Sequence, residues 1–420
     1  MPFLFLLALL MPKFTYIDLF AGCGGLSEGF SNSNLFEGLA HVEWEVPMVD
    51  TLRNRLVTKW NYSKDQANET VIHFDIQKTE ELIHGNWTNE TNEIYGQTNS
   101  DLVKKLGLKG ITQDRSVDVV IGGPPCQAYS IAGRAQDKNS MKDDYRNYLF
   151  ESFVKVVDEF KPKLFVFENV PGILTAKPGD KLVIDRIFEA FSEIGYQIKE
   201  AKRLKEATYT ASDFGVPQKR NRVIIIGVLK GLNIDVDEIY HSIDEQKTSD
   251  LKTVADAIKD LPKFIPLSEP VKLKGKNISH IGDADEISHH TPRYHNPSDV
   301  NIFRHWVSQG MNKLTNDEKI SFYNRLKGKS SNHAKYRNLE WDHPSPTIVA
   351  HLYKDGLMFI HPDAEQARSI TIREAALLQS FPMDYQFLGS AGYCYKMIGN
   401  AVPPLMAEKI AIGISKFLGK

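Results

Sequence analysis

The chain has 420 residues, of which 42% are apolar, and this is enough to fill the cores of two or three domains. Its 51 Lys and Arg residues nearly balance 53 Asp and Glu residues, which excludes a disordered polyelectrolyte and a uniformly basic protein, so any surface for nucleic acid must be local. The three cysteines, Cys23, Cys126 and Cys394, are far apart and form no CxxC pair, which argues against a disulfide scaffold or a structural zinc site and favours a reducing, cytoplasmic location.

Residues 1–10 form a short apolar run, MPFLFLLALL. The run is too short for a membrane span, which needs about 20 apolar residues, and it lacks the basic start and small-residue cleavage site of a secretory signal. We therefore expect no association with a membrane. The segment is interpreted as an N-terminal extension or an upstream start-codon artefact before Met11, and the alternative is an apolar arm packed on the body of the protein.

After Met11, short β-rich runs alternate with longer helical stretches, which is the pattern of a parallel sheet with helices on both faces. Several of the runs end at a polar or glycine-bearing segment, and open α/β sheets bind ligands beyond the carboxyl ends of their strands. The sequence therefore predicts an α/β, Rossmann-like domain with its site at that edge. The predicted strands are Tyr16–Phe20, Leu39–Glu43, Thr70–Phe74, Val117–Ile121, Leu164–Glu168 and Val223–Val228.

Two stretches interrupt this alternation. Residues 79–116 are polar and are predicted to form a surface insertion. From residue 229 to about 341 the periodicity is weak, and residues 251–340 contain 15 Lys and Arg against 10 Asp and Glu, most densely at 303–337. This segment predicts a smaller, irregular second domain with a polyanion-binding surface, and the alternative is a solvated lysine-rich surface.

The first predicted strand leads into a glycine-rich turn, DLFAGCGGLS. Gly22, Gly24 and Gly25 allow a sharp turn and the close approach of a ligand. The spacing is G-x-G-G and lacks the full G-x-G-x-x-G pattern, so the turn favours a smaller adenosyl ligand over a dinucleotide.

Three side chains follow this turn at the ends of the next two strands. Glu43 is placed to accept from ribose hydroxyls, Trp44 to stack on an adenine face, and Asp75 to accept from the adenine amino group. Each one alone is also explained as a core aromatic or a helix cap. Their order after such a turn favours a nucleotide pocket.

The fourth predicted strand opens onto PPCQAYS, which places Cys126 in a loop stiffened by Pro124 and Pro125. A thiol with restricted freedom can be aimed at a substrate atom, as nucleophilic catalysis requires. Glu168 ends the next strand, and QKRNR, residues 218–222, precedes the strand after it. A thiol, a carboxyl and a guanidinium are therefore expected on one face, whereas Cys23 and Cys394 are interpreted as inert core residues.

These motifs resemble those of the DNA cytosine carbon-5 methyltransferases, which use S-adenosylmethionine and release S-adenosylhomocysteine. The resemblance extends in family order from Ile17 to Pro404 and leaves out the polar insertion and residues 229–341. The matching stretches are DLFAGCGG, VEW, FDI, GGPPCQAYS, FVFENVPGI, VPQKRNRVIIIG, HPSPTI, RSITIREAALLQSFP and IGNAVPP.

The resemblance implies a chemistry for the reactive residues. Cys126 would add to carbon 6 of a cytosine rotated out of the duplex, while Glu168 holds nitrogen 3 and the exocyclic amine. Arg222 would contact the base carbonyl, with Gln218 and Arg220 as supporting neighbours.

The resemblance also implies the remaining contacts. Residues 11–228, completed by 385–420, would form the catalytic and cofactor-binding domain, and 229–384 the target-recognition domain and hinge. The cofactor residues would be Phe20, Gly22, Gly24, Gly25, Leu26, Glu43, Trp44, Asp75, Ile76, Pro125, Asn400 and Val402. Double-stranded DNA would be contacted by Arg304, Arg325, Lys327, Lys329, Lys335 and Arg337.

No metal site is expected, because the histidine-rich segment 287–295 has neither cysteine partners nor H-E-x-x-H spacing, and its histidines are interpreted as loop residues that contact phosphate or pack locally. The resemblance implies a monomeric modification enzyme of a bacterial type II restriction system, whose cognate endonuclease shares the target sequence. Three alternatives stay open: a transfer-RNA cytosine methyltransferase, a catalytically silent DNA-binding relative, and a nicotinamide dehydrogenase. The last is disfavoured by the G-x-G-G turn and PPCQ.

Overall fold

The structure is a computed structural model that describes residues 13–113, 115–125, 149–273, 275–283, 286–328, 330–354 and 356–419. The predicted extension at 1–10, Cys126 and Lys329 lie outside these residues. The described residues divide into two compact units. Unit 1 takes them from Met1–Phe214, Asn221–Ser249 and Ala401–Lys420, and unit 2 from Gly215–Arg220 and Asp250–Asn400.

A mostly parallel sheet forms the centre of unit 1, which confirms the predicted α/β class. All six predicted strands are present, whereas β6 and β7, each three residues long, are additional. As far as residue 229, the strands of the described part of the chain are β1 (Phe14–Leu19), β2 (Phe36–Glu43), β3 (Val71–His73), β4 (Val119–Gly122), β5 (Leu164–Asn169), β6 (Tyr196–Ile198), β7 (Thr208–Thr210), β8 (Gln218–Lys219, in unit 2) and β9 (Asn221–Leu229).

The strand order in this sheet is β3-β2-β1-β4-β5-β9-β6, and β7 also pairs with β9. Strands β3, β2, β1, β4 and β5 run parallel to one another. Strand β9 runs antiparallel to β5, β6 and β7, so the prediction of a parallel sheet is wrong for this strand. As a result, the beginning of β9 lies at the same edge as the carboxyl end of β5.

Helices cover the sheet of unit 1, and apolar periodicity explains them. In α7, for example, Leu149, Phe150, Phe153, Val154 and Val157 are buried at helical spacing. As far as residue 249, the α-helices of the described residues are α1 (Gly25–Asn32), α2 (Val46–Trp60), α3 (Lys64–Thr70), α4 (Thr79–His84), α5 (Asn89–Tyr95), α6 (Asp101–Thr112), α7 (Leu149–Phe160), α8 (Val183–Glu193) and α9 (Val236–Asp244).

The polar stretch at 79–116 is more ordered than the predicted insertion, because it folds into α4, α5 and α6. Trp87, Val103 and Leu108 are buried within it. A Cβ atom on Gly107 would lie 2.4 Å from the backbone nitrogen of Gly85, so two glycines allow the backbones to cross there.

Unit 2 is smaller and has little regular sheet. Its described strands form a β10–β11 hairpin and a parallel two-residue pairing of β12 with β8. A core of Phe303, Trp306, Tyr336 and Ile360 lies between its helices and loops. The elements are α10 (Val254–Ile258), β10 (Ile265–Leu273), β11 (Lys276–Ile281), α11 (Pro297–Ser308), α12 (Asn316–Lys327), β12 (Ser345–Pro346), α13 (Ile372–Leu378) and α14 (Ala391–Asn400).

The last helix, α15 (Pro404–Leu418), returns to unit 1. The boundary predicted after residue 228 lies inside unit 1, because the Tyr240 hydroxyl of α9 bonds to the β9 backbone and Ser242 donates to the carbonyl of Gly413 in α15. Residues 385–400, predicted to complete the catalytic domain, belong to unit 2, where a Cβ on Gly399 would lie 2.3 Å from the nitrogen of Ala350.

Short 3₁₀ turns connect several of these elements, at Gly96–Thr98, Pro171–Leu174, Ala201–Ala207, Ala211–Phe214, Met311–Lys313 and Gly356–Met358. A search of the described residues finds no helix with the length and apolar character that a membrane crossing demands.

The packing of α1 on α15 depends on Gly29. A Cβ there would lie 2.4 Å from both the Ala407 Cβ and the Pro404 carbonyl oxygen. Gly29→Ala is therefore expected to lower the free energy of unfolding by about 1–3 kcal/mol, measured by urea denaturation. Gly392→Ala in α14 is the matched control, since the nearest atom is 3.7 Å from its added Cβ. Equal stability of the Gly29 variant and the wild type would contradict this packing.

Candidate active site

The glycine-rich turn after β1 has an unusual backbone. Phe20, Gly22 and Gly24 all have positive φ, at 59°, 57° and 87°. A Cβ built on Gly22 would meet no atom within 4 Å, whereas one on Gly25 would lie 2.4 Å from the carbonyl oxygen of Val402. The turn is thus open at Gly22, where a ligand can approach the backbone, and closed at Gly25 by the segment that precedes α15.

Glu43, at the end of β2, fixes this turn in place. Its Oε2 accepts a hydrogen bond from the nitrogen of Gly22 (2.9 Å), and its Oε1 accepts from the nitrogens of Trp44 and Glu45 (both 2.8 Å). Burial raises the pKa of Glu43 to about 7, although these backbone donors act in the opposite direction. The carboxyl therefore organises two loops at the sheet edge, a contact that the sequence analysis did not foresee.

Two further predicted residues lie at the same edge, after the parallel strands β2 and β3. The Trp44 side chain is 54% exposed, and its carbonyl oxygen accepts from Nε2 of His73 (2.9 Å). Asp75 is half-buried and accepts from the nitrogen of Gln77 (3.0 Å), and Ile76 is buried. The structure therefore presents an aromatic face and a carboxylate beside the turn.

A buried polar network behind the turn was missed from the sequence. Asp18 Oδ2 accepts from the hydroxyl of Ser27, which also lies 3.0 Å from Nδ1 of His41. All three side chains are at most 3% exposed. They connect β1, α1 and β2, so they hold the start of α1 against the sheet. A polar residue inside an otherwise apolar strand, as in YIDLF, is the signal that could have found this network.

Glu168 and Arg222 meet at the carboxyl end of β5, which β1 and β4 separate from the strand that carries Glu43. In the antiparallel register of β5 and β9, Glu168 pairs with Ile224, so Arg222 lies just beyond the end of β5. The Nε of Arg222 is 2.5 Å from Oε1 of Glu168, and both residues are less than 10% exposed. A Cβ on Gly123 would lie 2.6 Å from the other carboxylate oxygen, so a larger residue there would displace the carboxyl group of Glu168.

Asn169 connects this pair to the proline segment after β4. Its Nδ2 donates to the carbonyl oxygen of Pro124 (3.2 Å), and its Oδ1 accepts from the nitrogen of Val170 (2.9 Å). The backbone is therefore fixed two residues before Cys126. Asn169 belongs to the stretch FVFENVPGI, and the sequence alone predicts no role for its side chain.

Gln218 and Arg220 are fully buried in unit 2. Ile348 donates its N–H to Gln218 Oε1 (2.9 Å), and the Gln218 amide donates to the carbonyl of Leu378 (3.2 Å). The Arg220 guanidinium donates to the carbonyls of Ile348 (3.0 Å) and Gly399 (2.8 Å). Both side chains therefore form hydrogen bonds with backbone groups of unit 2, next to Thr347 in the stretch HPSPTI.

The predicted DNA-contacting residues fall into two groups. Arg304 and Arg325 are exposed, whereas Lys335 is half-buried. Lys327 pairs with Asp299 (2.7 Å), and burial lowers the pKa of Arg337, whose Nε donates to the carbonyl of Met358. Arg304 and Arg325 are therefore the better candidates for phosphate contacts.

Comparisons with known proteins give a consistent result. The family model for C-5 cytosine-specific DNA methylases matches residues 14–86 and 77–416. The chain is 36% identical to the type II methyltransferase M.Bpa9945I of Bacillus paralicheniformis, over 94% of this chain and 97% of that protein. It is 34% identical to the type II methyltransferase M1.HphI of Haemophilus parahaemolyticus, over 96% of this chain and 87% of that protein. Its fold is similar to that of a prophage-encoded E. coli protein assigned as a DNA modification methyltransferase, with a TM-score of 0.61, 24% identity, and coverage of 97% and 100%.

Proposed function

Because the chain belongs to the C-5 cytosine-specific DNA methylase family and is a DNA cytosine-5 methyltransferase, we propose that it methylates carbon 5 of a cytosine rotated out of a specific duplex sequence, with S-adenosylmethionine as methyl donor. The observation that carries this proposal is the buried pair of Glu168 and Arg222 at the carboxyl end of β5. A carboxyl and a guanidinium, held next to the segment that leads to Cys126, match the polar edge of a pyrimidine.

The residues around the glycine turn fit an adenosyl ligand. The open space at Gly22 lets the ligand approach the backbone, and the exposed ring of Trp44 can stack on the adenine face. The carboxylate of Glu43 can accept from the ribose hydroxyls, and that of Asp75 from the exocyclic amine of adenine. When bound, the cofactor supplies an electrophilic methyl group on its sulfonium sulfur. We assign the other contacts to Phe20, Gly24, Gly25, Leu26, Ile76, Pro125, Asn400 and Val402.

Cytosine carbon 5 is a poor nucleophile, and the chain's own groups would activate it. The thiolate of Cys126 adds to carbon 6, and Glu168 delivers a proton to nitrogen 3 while it accepts from the exocyclic amine. Arg222 donates to the base carbonyl and steadies the charge on the ring. After carbon 5 accepts the methyl group, it loses its proton to water, the thiolate is expelled as the ring double bond forms again, and nitrogen 3 returns its proton to Glu168.

Unit 2 is proposed as the target-recognition region, with Arg304 and Arg325 on DNA phosphates. Gln218 and Arg220 would act as positioning residues, since they hold the backbone at Ile348 beside Thr347. The relatives named above are type II methyltransferases, which supports a role as a modification enzyme that protects DNA from an endonuclease with the same target. We propose that the enzyme acts as a monomer.

Covalent trapping tests the chemistry directly. Bisulfite sequencing of DNA from expressing cells first identifies the target. A duplex with 5-fluorocytosine at that target should then form a denaturation-stable adduct in the presence of the methyl donor, because fluorine cannot leave as the proton does and the thiol stays bound. Mass spectrometry measures the adduct, and Cys126→Ser is the control that should form none.

Failure of the wild-type chain to form the adduct would refute the mechanism. The same assay with transfer RNA in place of the duplex separates the alternative substrate, since the proposal expects methyl transfer to DNA only.

A further inference from the structure

Trp44 combines an exposed ring with a fixed backbone. The residue is 54% exposed, although it directly follows the buried end of β2. Its nitrogen donates to Oε1 of Glu43 (2.8 Å), and its carbonyl oxygen lies 2.9 Å from Nε2 of His73. Because both polar groups of its backbone are held, the aromatic face at the sheet edge needs little ordering before a planar ligand stacks on it.

The His73 ring is fixed in the tautomer that donates to Trp44. His73 is the last residue of β3, pairs with Glu43 in the parallel register of β2 and β3, and is 7% exposed. A carbonyl oxygen only accepts, so Nε2 carries the proton. Burial lowers the pKa of His73, which keeps the ring neutral at pH 7 and makes Nδ1 an acceptor. The Thr98 hydroxyl lies 2.6 Å from Nδ1 and therefore selects this tautomer.

The other contacts of His73 also come from the polar stretch 79–116. β3 ends the strand order, with β2 as its one neighbour among the described strands. On the other side, the Asn99 amide donates to the carbonyl oxygen of His73 (2.8 Å) and accepts from its nitrogen (3.0 Å), as a further strand would. The Tyr95 ring packs edge-on against the His73 ring, with centroids 5.1 Å apart. Residues 95–99 therefore fix both the backbone and the ring of His73.

We propose that His73 is a positioning residue for the methyl donor, which acts through the carbonyl of Trp44, and that residues 95–99 thereby set how tightly the enzyme binds the adenosyl group. The inference rests on the proposed function and extends it, because none of the cofactor residues assigned above comes from residues 79–116. Support of the sheet edge alone requires the backbone of His73 and the Asn99 amide, but it requires no ring donor directed at Trp44.

Binding of S-adenosylhomocysteine to the full chain without DNA tests this role independently of turnover. Titration calorimetry measures the Kd. His73→Phe keeps a planar ring against Tyr95 and removes the donor, so the Kd should rise about 5- to 10-fold, the effect of losing one hydrogen bond that orders the Trp44 loop. His73→Gln should restore the Kd to within about 2-fold of the wild type, because the glutamine amide nitrogen can take the place of Nε2.

Thr98→Val is a second variant, since valine has the shape of threonine without its hydroxyl. It leaves Nδ1 of His73 without this partner, so the Kd should rise about 3-fold. His84→Phe is the matched control, because it makes the same change at a side chain that is 42% exposed in α4 of the same stretch, and its Kd should equal that of the wild type. The KM for S-adenosylmethionine should follow the Kd in each variant, whereas kcat should change by less than about 2-fold.

Thermal unfolding without ligand checks that each variant is folded. A wild-type Kd in His73→Phe, or in Thr98→Val where His73→Phe does not fold, would overturn the inference. An equal rise of the Kd in His73→Phe and His73→Gln would also overturn it, because packing of the ring and not its hydrogen bond to Trp44 would then carry the effect. A wild-type chain that does not bind S-adenosylhomocysteine would instead refute the proposed cofactor site, so the two failures are distinguishable.

Discussion

Glu168→Gln is expected to lower kcat by about 10²- to 10⁴-fold, the range associated with loss of a general acid. Glutamine preserves the shape of the side chain and can still contact the base, but it cannot deliver a proton to nitrogen 3. The buried position of Glu168, between Arg222 and Gly123, leaves little room for water to replace it. Single-turnover methyl transfer to the target duplex measures the effect on the chemical step.

The control for this substitution is Glu206→Gln in unit 1, which removes an exposed carboxylate that pairs with Arg203 and with the buried Lys199, and Lys199 keeps its ion pair with Asp237. Exposed ion pairs contribute little to stability, so turnover should stay at the wild-type level. Adduct formation with the fluorinated duplex should slow in Glu168→Gln in parallel with turnover. A Glu168→Gln enzyme with near-wild-type kcat would show that the proton comes from another group.

Acidification from pH 7 to pH 5 is expected to destabilise unit 2 strongly. Burial lowers the pKa of His280 to about 4 and those of His295 and His361 to about 3. In the unfolded chain histidine titrates near 6.5, so below that pH the unfolded state binds protons that the folded state does not. The stability that these three neutral histidines contribute is fully present above pH 6.5 and is lost as the pH falls from 6.5 towards 4.

The slope is up to about 1.4 kcal/mol per pH unit for each of the three histidines. His361 faces Glu374, Arg368 and Asp363. Burial alone would raise the pKa of Glu374, but two 2.7 Å hydrogen bonds from Arg368 hold it below its ordinary value. Glu374 and Asp363, with lowered pKa values, start to lose stabilisation only near their unfolded values of about 4, so they contribute little between pH 6.5 and 5. The raised pKa of Glu43 in unit 1 acts in the opposite direction in this window, and the comparison with His361→Asn separates the two contributions.

Urea denaturation at pH 7, 6 and 5 measures this slope. His361→Asn should flatten it, whatever its effect on stability at pH 7, since one group no longer differs between the two states. His241→Gln is the control, because its side chain is 79% exposed in unit 1. The same slope in wild type and His361→Asn would show that His361 does not carry the effect.

Local pattern accounts for much of unit 1 and little of unit 2. The six predicted strands are mostly apolar, so their burial in the sheet is readable from composition, whereas polar residues inside them, such as Asp18, have to find buried partners. The direction of β9 was not readable, because an apolar run has the same pattern in a parallel and an antiparallel pairing. Only the topology explains how Arg222, at the start of its strand, reaches Glu168 at the end of β5.

The motif residues were predicted more completely than their contacts. Glu43 and Asn169 belong to the stretches VEW and FVFENVPGI, but their hydrogen bonds to Gly22 and Pro124 join segments far apart in the chain, which the spacing of the motifs does not encode. In unit 2, His290 and His295 are buried and pack locally, which is one of the two roles expected for the histidines of segment 287–295. Their burial depends on a core without sequence periodicity, so the sequence does not predict it.

The short segment Gly215–Arg220 belongs to unit 2 although unit 1 supplies the residues on both sides of it. Gln218 and Arg220 there hold the backbone at Ile348, Leu378 and Gly399. A chimera that grafts only residues 250–400 from a homologue with another specificity would leave these two anchors behind, facing foreign sequence. If unit 2 carries the target specificity, as proposed, an exchange of specificity between homologues has to move residues 215–220 together with residues 250–400.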